Sequence, residues 1–360
     1  MDERYSRQIL FSPIGREGQE KLSNARVLIV GCGALGASHA ETLARAGVGH
    51  LRIVDRDFVE FTNLQRQTLF KESDASERLP KAVAAKNRLA EINSEIEVEA
   101  VVADVNNSNI ESLIAGCDLV LDGTDNFQIR YLLNDACVKH GRTWIYGAVV
   151  SSYGATMTVI PGETPCLRCI FDEMPDAGSA PTCDTAGVIM PIVTSISAIQ
   201  TAEAIKLLVG DMASLHGSLL QIDIWQNDWR KIKLSGRSPH DSKGISDSES
   251  LHDHKNVFNP DCITCGKHIY EFLDAENVDF TAVLCGRDAV QIAPPKPTTI
   301  DLKTLAANLA AVSEVKQNEY LVRFSANGCE ITVFADARAI IKGTDDPTEA
   351  RSLYARFIGL

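Results

Sequence analysis

The 360 residues leave room for one large domain and a smaller one. A hydrophobic content of 45% is that of a soluble globular protein, and a formal net charge of −13 argues against nucleic acid or an anionic membrane as the main partner. An anionic ligand therefore needs a local basic pocket set against the overall field. The opening residues, MDERYSRQIL, are charged and lack the apolar core of a secretory signal. Ten cysteines in so long a chain then point to a reducing cytoplasm, with thiols used for metal or catalysis and not as a disulfide scaffold.

Residues 4–11 (RYSRQILF) precede a short polar helix pattern over 15–22, and Arg4 and Arg7 read on their own as surface charge. Residues 27–30 form a continuous apolar run of the kind a strand buried on both faces needs. Gly31, Gly33 and Gly36 follow in G-x-G-x-x-G spacing, with Ala34 inside the turn. An Ala-rich helical pattern reaches Ala46, and a second strand over 51–54 ends on Asp55. In this order Gly31 permits a tight turn, Gly33 admits a phosphate to the backbone, and Gly36 lets helix pack on strand. The helix N-terminus offers N–H groups and partial positive charge to an anion, and Asp55, about twenty residues on, is placed to bind a ribose.

Beyond the second strand come Asn63, Leu64, Gln65, Arg66 and Gln67, then Lys81 at the start of a helix pattern over 79–92. These cations and amides suit a triphosphate whose charge must be neutralised. A strand over 96–101, a helix near 108–115 and a strand over 118–121 continue the alternation into Asp122-Gly123-Thr124-Asp125-Asn126. Asp125 thus falls at the carboxyl edge of a parallel sheet, where ligands bind, and Asn126 can cap the next helix. Asp125 as a simple N-cap is the plainer alternative. Arg130 on that helix can orient the loop or pair with a carboxylate. A strand over 143–149 closes the parallel part, and 155–160 turns towards an antiparallel extension.

Two C-x-x-C pairs, Cys166/Cys169 and Cys262/Cys265, can supply four thiolates to one tetrahedral zinc that clamps distant segments. Between them, Cys183 lies at the entry to a helix, where a thiolate is favoured; a bystander thiol is the alternative. Cys32, Cys117 and Cys137 read as packing residues. The apolar stretch 186–209 carries Gln200, Glu203 and Lys206, which makes it a buried helix and not a membrane span. Strands over 218–224 and 229–234 lead into 235–257, rich in Ser, Asp, Gly and His, which reads as a mobile loop. His240, His252 and His254 in it fit a solvated linker better than a metal site. The tail has strand-like runs at 280–284, 290–292, 320–324 and 331–334 and helix patterns at 302–312 and 347–357.

The glycine turn, the NLQRQ run, the T-D-N loop and the paired cysteines together resemble the ThiF/MoeB/HesA family, relatives of ubiquitin-activating enzymes, over about residues 5–266. The resemblance implies an α/β, Rossmann-like nucleotide-binding fold with a mixed sheet and antiparallel extension, zinc-stapled, over 1–266. A small α+β domain over 267–360 follows, of unassigned role. Some relatives end in a rhodanese domain, but Cys285-Gly286-Arg287 is only a weak match to such a site. The implied activity is adenylation by ATP of a ubiquitin-like sulfur-carrier protein ending in Gly-Gly. Asp125 would hold Mg2+, Arg66 and Lys81 the phosphates, and Arg7 would reach across a homodimer to the partner's nucleotide. Asn63 and Gln67 would bond phosphates or position the attacking carboxylate. Cys183 would be the candidate for thioester or acyl-disulfide chemistry, which not every branch of the family requires. Ala34 departs from the glycine common in relatives, a change the turn tolerates. An NAD-binding redox protein with structural zinc, and a non-catalytic scaffold of the same fold, are the competing readings.

Overall fold

The structure is a computed structural model and describes residues 3–175, 182–234, 259–275, 281–284, 288–294, 298–310 and 313–358. The loop expected over 235–257, with its three histidines, falls wholly outside these residues, as does Cys285-Gly286-Arg287. The chain divides into two compact units, Met1–Ala275 and Glu276–Leu360.

In the first unit, α1 (Ser6–Ile9) and α2 (Gly15–Asn24) lead into β1 (Arg26–Val30), α3 (Ala34–Ala46) and β2 (His50–Asp55). Then come α4 (Glu72–Glu77), α5 (Lys81–Ile92), β3 (Glu97–Val102), α6 (Ile110–Ile114), β4 (Leu119–Asp122), α7 (Phe127–Lys139) and β5 (Trp144–Val150). The remainder is β6 (Tyr153–Val159), α8 (Leu167–Ile170), α9 (Cys183–Ala186), α10 (Met190–Val209), β7 (Ser218–Asp223) and β8 (Asp228–Lys233). One sheet runs β3-β2-β1-β4-β5-β6-β7-β8. Its first five strands are parallel and its last three are added antiparallel.

The apolar run of β1 is continuous because both its faces are covered. Val27 and Ile29 join a core with α3, α5 and α10, while Leu28 and Val30 join a second core with α6 and α7. Each such side chain, fully buried, contributes roughly 1.5–3 kcal/mol. The order reverses between β1 and β4, so a crevice opens beyond their carboxyl ends.

Helix α5 begins at Lys81, two residues later than its apolar pattern suggests, because Leu79 precedes Pro80 and a residue before proline is turned away from the helical region. Pro80 itself sits in an extended conformation as the N-cap. Helix α10 is long and apolar enough to cross a membrane by composition, but it packs on α2, α3, β5 and β6 as a core helix and buries Gln200 and Glu203. The first unit extends past Gly266 to Ala275, because Leu273 is buried in its second core and the Phe272 N–H donates to Asp135.

Among its described residues the second unit has a six-stranded antiparallel sheet, β11-β12-β13-β14-β10-β9, and two helices. Its elements are β9 (Thr281–Leu284), β10 (Ala289–Ile292), α11 (Leu302–Leu309), β11 (Val315–Gln317), β12 (Leu321–Ala326), β13 (Cys329–Phe334), β14 (Ala339–Lys342) and α12 (Pro347–Phe357). β11 and β14 were not expected from the sequence. Leu302, Ala306 and Leu309 of α11 and Ala350, Leu353 and Tyr354 of α12 fill a core over the sheet. Asp346 caps α12 and Pro347 starts it, as a proline with no N–H to lose should.

Candidate nucleotide site and cysteine staple

The turn after β1 lies against the turn after β4. Gly31 has φ +84°, which an L side chain resists, and a Cβ there would sit 2.9 Å from the Gly123 carbonyl oxygen. A Cβ on Gly123 would in turn lie 2.6 Å from the Gly31 oxygen. Gly36 closes the same contact from α3, so the crevice floor is main chain alone. Gly33 is the N-cap of α3 and Ala34 its first residue.

Asp55, at the end of β2, accepts the Cys32 N–H at 2.6 Å and the Asp57 N–H at 2.7 Å, one on each carboxylate oxygen. Burial pushes its pKa up, against the pull of the Lys81 ammonium and those two bonds. Cys32 is buried beneath it, and its thiol is pushed far up by burial and by the Asp55 charge.

Within the NLQRQ run, Asn63 Oδ1 accepts the Glu60 N–H at 2.9 Å and so shapes the turn. Leu64 packs on the first core, Gln65 is exposed, and Arg66 folds back to donate to the Thr62 carbonyl at 2.9 Å. Gln67 differs from all of these. It is buried, its Oε1 has no hydrogen-bond partner, and its amide nitrogen is 4.0 Å from where a Gly33 Cβ would stand. A buried amide oxygen without a partner costs about 1–3 kcal/mol. It is the donor nitrogen, and not the orphan oxygen, that lies near the glycine turn, where a phosphate oxygen can accept from it, so the residues present fit a bound nucleotide. Lys81 is only 4% exposed, and its Nζ lies 3.1 Å from Asp57 Oδ2. It is therefore not a solvated surface lysine.

Asp125 is exposed at the loop after β4. It is Asn126 that caps α7, accepting the Gln128 N–H at 2.8 Å and the Ile129 N–H at 3.4 Å. Arg130 does both things its position allows: Nε meets Asp122 Oδ2 at 3.1 Å, while Nη2 donates to the carbonyls of Thr124 at 2.7 Å and Gly147 at 3.1 Å. Asp122 also accepts the Thr124 N–H at 2.9 Å and hydroxyl at 2.7 Å. Burial raises the Asp122 pKa, with Arg130 the main opposing charge.

Sequence reasoning gave no role to Asp122, Gly123, Arg56 or Asp57. A carboxylate ending a strand and a glycine immediately past it were the available signals for the first two. Arg56 pairs with Asp104 at 3.1 Å, and although burial disfavours its charge, Asp104, Asp57 and Asp125 around it hold its pKa above the ordinary value.

Arg7 sits on α1, exposed, with no hydrogen bond or ion pair to the described residues of its own chain. Cys183 is the first residue of α9, and its Sγ donates to the Val149 carbonyl at 3.4 Å.

The two C-x-x-C pairs meet. Sulfur separations are 3.4 Å for Cys169–Cys265, 3.6 Å for Cys166–Cys262 and 3.8 Å for Cys166–Cys169, and all four lie within 4.8 Å of one another. Zinc–sulfur bonds of about 2.3 Å in a tetrahedron require sulfurs about 3.8 Å apart, so the cluster fits a structural zinc. Both pairs are tied to α7: Asn134 accepts the Leu167 N–H at 2.8 Å and Asp135 accepts the Thr264 hydroxyl at 3.0 Å. Cys117 and Cys137 are buried packing residues, as expected.

A glycine floor at the switch point of a doubly wound sheet, in a chain that also gathers four cysteines able to hold a metal, defines a nucleotide-binding α/β protein. Residues 5–243 match the ThiF family, and the chain belongs to it. It is similar to a sulfur carrier protein ThiS adenylyltransferase of Bacillus subtilis, 43% identical over 360 residues, which is 100% of each chain. It is also similar to a SAMP-activating enzyme E1 of Haloferax volcanii, 38% identical over 265 residues, 74% of this chain and 89% of that one. Among solved structures, E. coli MccB with MccA-N7isoASN superposes with a TM-score of 0.58 at 26% identity, covering 67% of this chain and 74% of the other.

Proposed function

We propose that the chain catalyses ATP-dependent adenylation of the C-terminal glycine of a ubiquitin-like sulfur-carrier protein, for sulfur transfer in thiamine-thiazole or molybdopterin biosynthesis. The observation that carries this reading is the bare floor made by Gly31 and Gly123, with Lys81, Gln67 and the Asp125 loop around it. Membership of the ThiF family, and full-length similarity to a carrier-protein adenylyltransferase, support the same chemistry.

An oxygen of the carrier carboxylate attacks the α-phosphorus of ATP. The bond from that phosphorus to the bridging oxygen breaks, and pyrophosphate leaves with the electron pair. Both reactants are anions, so the protein's work is to hold and neutralise them. One opposite charge at about 4 Å gains roughly 4 kcal/mol at an effective dielectric of 20, before desolvation. In this reading Asp55 holds the ribose, Arg66 and Lys81 the phosphates, Gln67 the group above Gly33, and Asp125 the magnesium. Arg7 acts on the nucleotide of a second subunit in a homodimer, the cysteine cluster holds zinc away from the chemistry, and the cytoplasm is the site of action.

The test is exchange of labelled pyrophosphate into ATP, dependent on the carrier. Asp125→Ala is expected to abolish exchange while leaving the circular dichroism spectrum unchanged. Exchange at the wild-type rate in that variant removes Asp125 from the mechanism, and saturable NAD binding without ATP binding overturns the adenylation reading itself.

A further inference from the structure

Asp57 belongs to none of the motifs above, yet it joins two groups of the candidate site. Its N–H donates to Asp55 Oδ1 at 2.7 Å, and its carbonyl accepts the Lys81 N–H at 2.9 Å. Its carboxylate Oδ2 lies 3.1 Å from Lys81 Nζ, and Oδ1 lies 3.9 Å from Arg56 Nε. The main chain of one residue thus ties the end of β2 to the start of α5, and its side chain sets where the Lys81 ammonium points.

The arrangement has a physical reason. Lys81 is the first residue of α5, where the helix dipole is unfavourable to a cation, and it is almost wholly enclosed. An enclosed ammonium needs a carboxylate to keep its charge. Asp57 supplies one at hydrogen-bond distance, and its own side chain is only 17% exposed. Arg56, paired with Asp104 at 3.1 Å, puts a second positive charge 3.9 Å from the other Asp57 oxygen.

We propose that Asp57 is a positioning residue for the nucleotide: through Lys81, and without touching the nucleotide itself, it fixes a charged ammonium where the phosphates lie. This rests on the reading of Lys81 as a phosphate ligand. Substituting the side chain leaves the main-chain bonds to Asp55 and Lys81 in place, so side-chain variants isolate the ammonium.

The experiment is a double-mutant cycle on ATP affinity, measured by titration calorimetry on the full chain. Asp57→Asn is expected to weaken ATP binding about tenfold, the middle of the range for directly coupled charges. Asp57→Glu should recover part of that loss, because it restores the charge on a longer arm. In a Lys81→Ala background Asp57→Asn should add no further loss. An equal loss in both backgrounds, or none in the wild-type background while Lys81→Ala is damaging, overturns the role given to Asp57 alone. ATP affinity unchanged in Lys81→Ala overturns the reading of Lys81 and this proposal with it.

Discussion

Arg130 Nε lies 3.1 Å from Asp122 Oδ2, and neither side chain is appreciably exposed. The pair fixes the loop that carries Asp125, because the same guanidinium holds the Thr124 carbonyl. Removing one partner leaves the other charge buried alone, a loss of about 3–5 kcal/mol. Arg130→Ala should therefore lower stability in urea denaturation by about that amount and remove pyrophosphate exchange. Wild-type stability in this variant would show that the pair contributes nothing to holding the loop.

The cysteine staple makes a prediction about binding as well as stability. Purified protein should carry about one zinc per chain, and Cys262→Ser should lose it and melt at lower temperature. Because α7 carries Asn134 and Asp135 on the staple and Arg130 on the nucleotide loop, chelation should also weaken ATP binding, and added zinc should restore it. Metal analysis of freshly purified, unchelated protein decides the first part, and calorimetry before and after chelation the second.

His39 predicts acid sensitivity. It is buried on α3, its Nε2 lies 2.9 Å from Gln200 Oε1, and burial lowers its pKa from 6.5 to about 4. Between these values the unfolded chain takes up a proton that the folded one refuses, so stability should fall as pH drops from 6.5 towards 4. His39→Gln should flatten that part of the pH profile in urea denaturation. An unchanged slope would assign the acid sensitivity to other groups.

Arg7 predicts trans complementation. In the proposed homodimer, mixing Arg7→Ala and Asp125→Ala chains would give, on subunit exchange, one hybrid site with both wild-type groups, and part of the exchange activity should return. Subunit exchange is checked separately by native mass spectrometry. If it occurs and activity stays absent, Arg7 does not act across an interface.

Cys183 predicts a separation of steps. Adenylation needs no thiol, so Cys183→Ser should keep pyrophosphate exchange near wild type but slow thiocarboxylate formation on the carrier. A carrier-linked species on a non-reducing gel should vanish in the same variant. Normal thiocarboxylate formation there would falsify the covalent role.

What the sequence revealed and what it hid divide along chain separation. The β1 run, the glycine turn and Asp55 lie within one β-α-β unit, so their order alone set their places. The end of α5 is legible, but its start is not, because Leu79 continues the apolar period while Pro80 after it turns that residue out of the helix. Lys81 was legible as a cation at a helix start, whereas its partner Asp57 lies 24 positions earlier. His39 and Gln200 are 161 positions apart, and no local pattern links them. The cysteine pairs were the exception at long range, since thiol pairs at that spacing carry their own geometry.

The floor formed by Gly31, Gly36 and Gly123 has no side chains, and this limits how the enzyme can diverge. A mutation there can add only a clash and cannot add a new contact, so drift at these positions is closed in every direction. New substrate preferences must be written on the walls and loops, where a changed side chain can be tolerated before it is useful. The part of the site nearest the nucleotide is thus the part least open to selection for novelty.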